Sequence, residues 1–101
     1  MSELPDGSAD QPPIILPIDG VLDLHTFKPR EIGQLVRDYL DECRRRGISE
    51  VRIIHGKGIG NLQRTVHSIL AKRADVVHYA FASVTHGGIG ATIVRLKANA
   101  S

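Results

Sequence analysis

The sequence predicts a two-layer α/β sandwich, in which two helices cover one side of a four-stranded mixed sheet in the order β-α-β-α-β-β. Three observations lead there. Two segments carry apolar residues at helical spacing, four carry short strand-like runs, and glycines stand at the junctions between them. At 101 residues the chain has room for one domain, which at this size buries roughly 60–67 % of its unfolded surface. Such a core needs no disulfide staples.

Residues 1–17 hold four of the five prolines together with Gly, Ser, Asp and Gln. A stretch of that composition cannot recover its ordering entropy by burial, so it reads as a flexible acidic arm ahead of a folded domain at 18–101. Within the arm, Ile14, Ile15 and Leu16 offer an extended segment to lie across the domain. Val21 to His25 is the first strand, with Leu22 and Leu24 on one face and Val21, Asp23 and His25 on the other. The first helix follows. Pro29 suits its first turn and Gly47 the position just past its end. Between them Ile32, Leu35, Val36, Tyr39, Leu40 and Cys43 form one apolar stripe. Arg44, Arg45 and Arg46 occupy the last turn, where cations oppose the helix dipole.

Val51 to His55 is the second strand, leading into the glycine-rich loop His55-Gly56-Lys57-Gly58-Ile59-Gly60. A second helix runs from about residue 61 to 74, with Leu62, Val66, Ile69 and Leu70 as its buried stripe. Val76 to Val84 is the third strand, with Tyr79 and Phe81 on one face and assigned to the core. The turn Thr85 to Gly90 then leads to a fourth strand, Ala91 to Lys97, in which Thr92, Val94 and Leu96 alternate with Ile93, Arg95 and Lys97. The glycine pair supplies the positive φ of a tight hairpin.

Composition narrows the function classes. The single cysteine, Cys43, cannot form an internal bridge, which fits a reducing compartment. No apolar run reaches the ~20 residues that span a bilayer, and the first residues lack the pattern of a secretory leader. A cytoplasmic protein with no membrane partner is the expectation. Of 13 basic and 11 acidic residues, four acids (Glu3, Asp6, Asp10 and Asp19) and no base lie in residues 1–20, leaving 13 against 7, or +6, on the rest. That excess attracts a polyanion. Aromatics are only 4 % of the chain, which argues against a stacking surface for single strands. Recognition would lean on phosphates and shape.

Two groups of residues carry chemistry. Asp23 and His25 share a strand face near its carboxyl end, the edge where open α/β sheets bind ligands, with side chains starting roughly 6–7 Å apart. An imidazole moves protons near neutral pH, and a carboxylate orients it or holds a divalent cation such as Mg or Mn. The loop after the second strand has the strand–glycine–helix layout that presents amides to an anion, and Lys57 and Arg64 would add charge. It is neither a Walker A nor a Rossmann sequence. The shared edge adds Gly87, Gly88 and Gly90 to the candidate phosphate-binding set of His55, Gly56, Lys57, Gly58, Gly60 and Arg64. His25, His55 and His86 each end a strand or turn, so with Asp23 they offer a possible metal cluster, although no ligand spacing marks one. His67 and His78 read as helix-surface and strand-surface residues.

Three motifs occur in order: Leu22-Asp23-Leu24-His25, then His55-Gly56-Lys57-Gly58-Ile59-Gly60, then Gly87-Gly88-Ile89-Gly90-Ala91-Thr92. Together they resemble the Smr (small MutS-related) domain over about residues 20–97. The resemblance implies a fold like the C-terminal domain of translation initiation factor three, and nicking or endonuclease activity on DNA, RNA or both. It implies Asp23 and His25 as the pair for cleavage and the His55–Gly60 loop as the substrate-binding segment. Thr26 stands where many members have glycine and narrows access for a phosphate. Ile89 stands where relatives often carry an aromatic. An endonuclease is the expected function; a module that binds branched or structured nucleic acid and recruits a partner is the alternative, and a protein adaptor the third. The oligomeric state is left open.

Overall fold

The structure, a computed structural model, describes residues 18–57 and 61–97. The expected arm at 1–17 and the loop glycines Gly58 and Gly60 lie outside the described residues. In chain order the elements are β1 (Val21–Asp23), α1 (Pro29–Arg45), β2 (Glu50–Ile54), α2 (Asn61–Lys72), β3 (Val76–Phe81) and β4 (Ala91–Leu96), with 3-10 turns at Val84–His86 and Gly88–Gly90.

The four strands make one mixed sheet in the order β1-β2-β4-β3. β1 and β2 are parallel, which requires the α1 crossover between them, while β4 runs antiparallel to both of its neighbours. The register aligns Leu22, Ile53, Thr92 and Phe81 in one cross-strand row and Val51, Val94 and Tyr79 in the next. These rows lie beneath the helices. Buried side chains from α1 (Ile32, Val36, Tyr39, Leu40, Cys43) and α2 (Val66, Ile69, Leu70) close one core over Leu22, Val51, Ile53, Val94 and Leu96. Each of the larger aliphatic side chains contributes roughly 1.5–3 kcal/mol by leaving water. The opposite face carries Val21, Arg52 and Ile93 and is only half-buried or exposed.

Local chemistry sets the element ends. Glu31 in the first turn of α1 reaches back and accepts the Lys28 amide hydrogen at 3.0 Å. At the other end the Gly47 amide donates to the Arg44 carbonyl and the Ile48 amide to the Cys43 carbonyl, at 3.1 and 2.8 Å, with Gly47 at φ 78°. That is the Schellman arrangement, and a side chain at that φ would be strained. The Tyr39 hydroxyl accepts from the Gly20 amide and donates to the Val21 carbonyl, both at 3.1 Å, fastening α1 to the start of β1. Arg73, just after α2, donates to Asp41 of α1 at 2.7 Å and to Asp75 at 2.6 Å. That guanidinium holds the Asp75 carboxyl below the usual carboxylate range. Cys43 is fully buried, and burial pushes its thiol up to about 11.

The structure corrects several expected boundaries. β1 stops at Asp23, because the Asp23 carboxylate captures the His25 amide and turns the chain. β3 stops at Phe81, and the expected tight hairpin is a longer excursion through two 3-10 turns pivoting on Gly87 at φ 115°. α2 ends at Lys72. Phe81 belongs at the rim, since it is 46 % exposed at the end of β3 although its ring touches His67 of α2. His67 is half-buried and faces the sheet, with its ring 5.0 Å from that of Tyr79 and 5.3 Å from that of Phe81. His78 is on the surface as expected.

Candidate functional site

Asp23 and His25 are in direct contact. Asp23 Oδ1 accepts from the His25 amide at 3.0 Å and from the ring Nδ1 at 2.6 Å. An extended strand would hold the two side chains apart; the turn after Asp23 folds one onto the other. A carboxylate only accepts, so Nδ1 carries a hydrogen, and in the neutral ring Nε2 keeps its lone pair. The ring bond, followed by the backbone bond, lowers the Asp23 carboxyl below its usual value. The imidazole is 76 % exposed and the carboxylate 46 %. Nε2 is thus presented to solvent by a fixed carboxylate, the arrangement of a proton-transfer pair.

The loop after β2 is built onto the turn before β4. The amides of His55 and Gly56 both donate to the Gly90 carbonyl, at 3.0 and 2.8 Å. A Cβ placed on Gly90 would lie 3.2 Å from Lys57 Cγ, so loop and turn touch where glycine leaves room. Within the turn the Gly90 amide donates to Gly87 and the Gly88 amide to Ser83, while Arg52 reaches the His86 carbonyl at 3.3 Å. The amides of His55, Gly56, Gly88 and Gly90 are therefore engaged inside the protein and are not the cradle of free donors that glycine-rich spacing leads one to expect. Gly87 shapes the turn that Gly88 and Gly90 continue. Lys57 and Arg64, both exposed, are the described cations of the loop and the first turn of α2.

The histidines divide between the two faces of the sheet. His25 lies with Asp23 on the open side. His55 is 7 % exposed on the helix side, where its Nε2 meets Thr92 Oγ1 at 2.8 Å and its Nδ1 meets the Gly56 carbonyl at 3.0 Å. His67 Nε2 meets the same Thr92 oxygen at 2.8 Å. Burial, with a smaller contribution from His55, lowers the His67 pKa. His86 bonds to the Ser83 and Thr85 hydroxyls. The cluster of Asp23, His25, His55 and His86 considered for a metal is not assembled. Among the described residues no three His, Cys, Asp or Glu side chains converge as a cation site.

Thr92 and His67 are the members that sequence reasoning missed. Their signal was faint: a polar residue at an inward position of β4, and a histidine one residue beyond the apolar stripe of α2.

The model of the Smr domain family matches residues 22–97, a span that starts at the Asp23 turn and ends after β4. The chain belongs to the Smr domain family. Curated relatives of this Smr domain include Endonuclease MutS2 of Clostridium botulinum, 36 % identical over 80 residues. Endonuclease MutS2 of Thermotoga petrophila is 37 % identical over 76 residues. The alignments cover 79 % and 75 % of this chain but 10 % of each relative, so the Smr domain spans about a tenth of their length. Among solved structures, the Smr domain of Thermus thermophilus MutS2 superposes with a TM-score of 0.72 at 34 % identity, covering 76 % of this chain and 96 % of that one. The stand-alone small MutS-related protein YdaL of Escherichia coli superposes with a TM-score of 0.71 at 31 % identity, covering 80 % and 66 %. No helix among the described residues is long and apolar enough to cross a membrane.

Proposed function

We propose that this Smr domain hydrolyses phosphodiester bonds within DNA or RNA as an endonuclease. The observation that carries the reading is the solvent-facing Asp23–His25 couple at the carboxyl ends of two adjacent parallel strands, where the Lys57 loop also begins. Relatives named endonuclease support the same reading.

In the proposed reaction Lys57 and Arg64 offset the charge of the bound phosphate. His25 Nε2 takes a proton from a water molecule as its oxygen bonds to phosphorus. Asp23 holds Nδ1–H and stabilises the imidazolium that forms. The phosphorus–oxygen bond to the leaving strand breaks, and His25 returns the proton to that oxygen. Bond formed, bond broken and proton balance without a further reactant. Asp23 would also be a ligand for any Mg or Mn that arrives with the phosphate, a separate proposal that the chemistry above does not require.

The test is incubation of the purified chain with supercoiled plasmid and structured RNA, with and without Mg or Mn and with chelator. Wild-type protein should nick or cut at least one substrate, and D23A/H25A should bind it nearly unchanged without cutting. Equal cutting by the double variant overturns the assignment. Salt-sensitive binding by wild type with no cutting under any condition leaves instead a nucleic-acid-binding module.

A further inference from the structure

The hydrogen-bond chain through Thr92 has a single polarity when both rings are neutral. The Gly56 carbonyl only accepts, so His55 carries its proton on Nδ1 and offers a lone pair at Nε2. Thr92 therefore donates its hydroxyl hydrogen to His55 Nε2. The Thr92 oxygen then accepts from His67 Nε2–H. That leaves His67 Nδ1 bare, and the Gln63 amide nitrogen lies 3.1 Å from it as donor. The chain closes without an unmatched atom. It runs from α2, through the hydroxyl at the centre of the sheet, to the carbonyl of Gly56, whose amide is pinned to the Gly90 turn at 2.8 Å.

We infer that Thr92, backed by His67, is a positioning residue for the Lys57 loop: it orients His55 so that Nδ1–H holds the Gly56 carbonyl, and His55 itself does not touch the substrate. The effect on substrate rests on the proposed nucleic-acid reading; the effect on the loop does not. His55 is 7 % exposed with both ring nitrogens committed, so a phosphate has no free donor on it.

Three measurements decide. Long-range proton–nitrogen NMR at neutral pH should find His55 protonated on Nδ1 and His67 on Nε2; the reverse tautomer at His55 overturns the inference. Amide exchange at His55 and Gly56 should rise by about tenfold or more in Thr92→Val, the loss of one buried hydrogen-bond partner, while the core amide of Val94 changes little, and Thr92→Ser should restore protection. Unchanged exchange at Gly56, or an equal rise at Val94, overturns it. Affinity for a fluorescent stem-loop RNA and for duplex DNA should fall in Thr92→Val and recover in Thr92→Ser. If the wild type binds neither nucleic acid, the proposed function fails, while tautomers and exchange still decide the role of Thr92.

Discussion

Asp23 meets His25 through one carboxylate oxygen that accepts two bonds, and this doubling determines how the pair responds to change. Because the folded carboxyl titrates below its ordinary value, the couple is complete above that ordinary value, about 3.9. It is lost only as pH falls through the lower folded value. His25→Ala removes the larger cause, so the Asp23 midpoint should rise towards 3.9, followed by carbon NMR of the carboxyl. Asp23→Asn keeps the shape but not the charge behind the imidazole; cutting should fall by about 10²–10⁴-fold with binding retained. Sequence reading paired these residues for an incomplete reason, since alternation along a strand does not foresee that an aspartate would end the strand and draw the histidine back. Thr92 and His67 were less legible still. Twenty-five residues separate them, and only the β4 register and the roll of α2 bring them together.

The helices were the most readable elements, because an apolar stripe at 3.6-residue spacing is a local property that the core then uses directly. Gly47 was readable as well, since an open, left-handed exit from a helix favours one residue type. Gly47→Ala should cost about 1–2 kcal/mol in denaturant unfolding, the penalty for a Cβ at that φ. Strand ends were not readable, because pairing stops where a partner or a competing side chain dictates, as at Asp23 and at the turn after Phe81. Nor does composition reveal the tie between α1 and the segment after α2. Arg73→Met leaves Asp41 and Asp75 without their shared cation and should cost about 1–3 kcal/mol, measured by thermal or urea unfolding. As Asp75 titrates low in the fold, its share of stability is present above pH ~4 and lost as pH falls through the folded value.

For the whole molecule, layer count and class followed from the element pattern, but the order β1-β2-β4-β3 did not, since a strand's sequence does not name its neighbours. That order places β4 beside β2, which is why the last glycine segment lies against the first. The body carries the chain's excess of positive charge, so nucleic-acid affinity should fall linearly with the logarithm of salt concentration, and Lys57→Ala or Arg64→Ala should each reduce that slope by about one. Variants must be judged against global integrity, and the lone thiol supplies the means. Cys43 lies at the centre of the packed layers with a thiol that resists ionisation. A disulfide reagent can reach it only when the layers part. Its labelling rate is a built-in clock for whole-domain opening, and Arg73→Met should make it run fast.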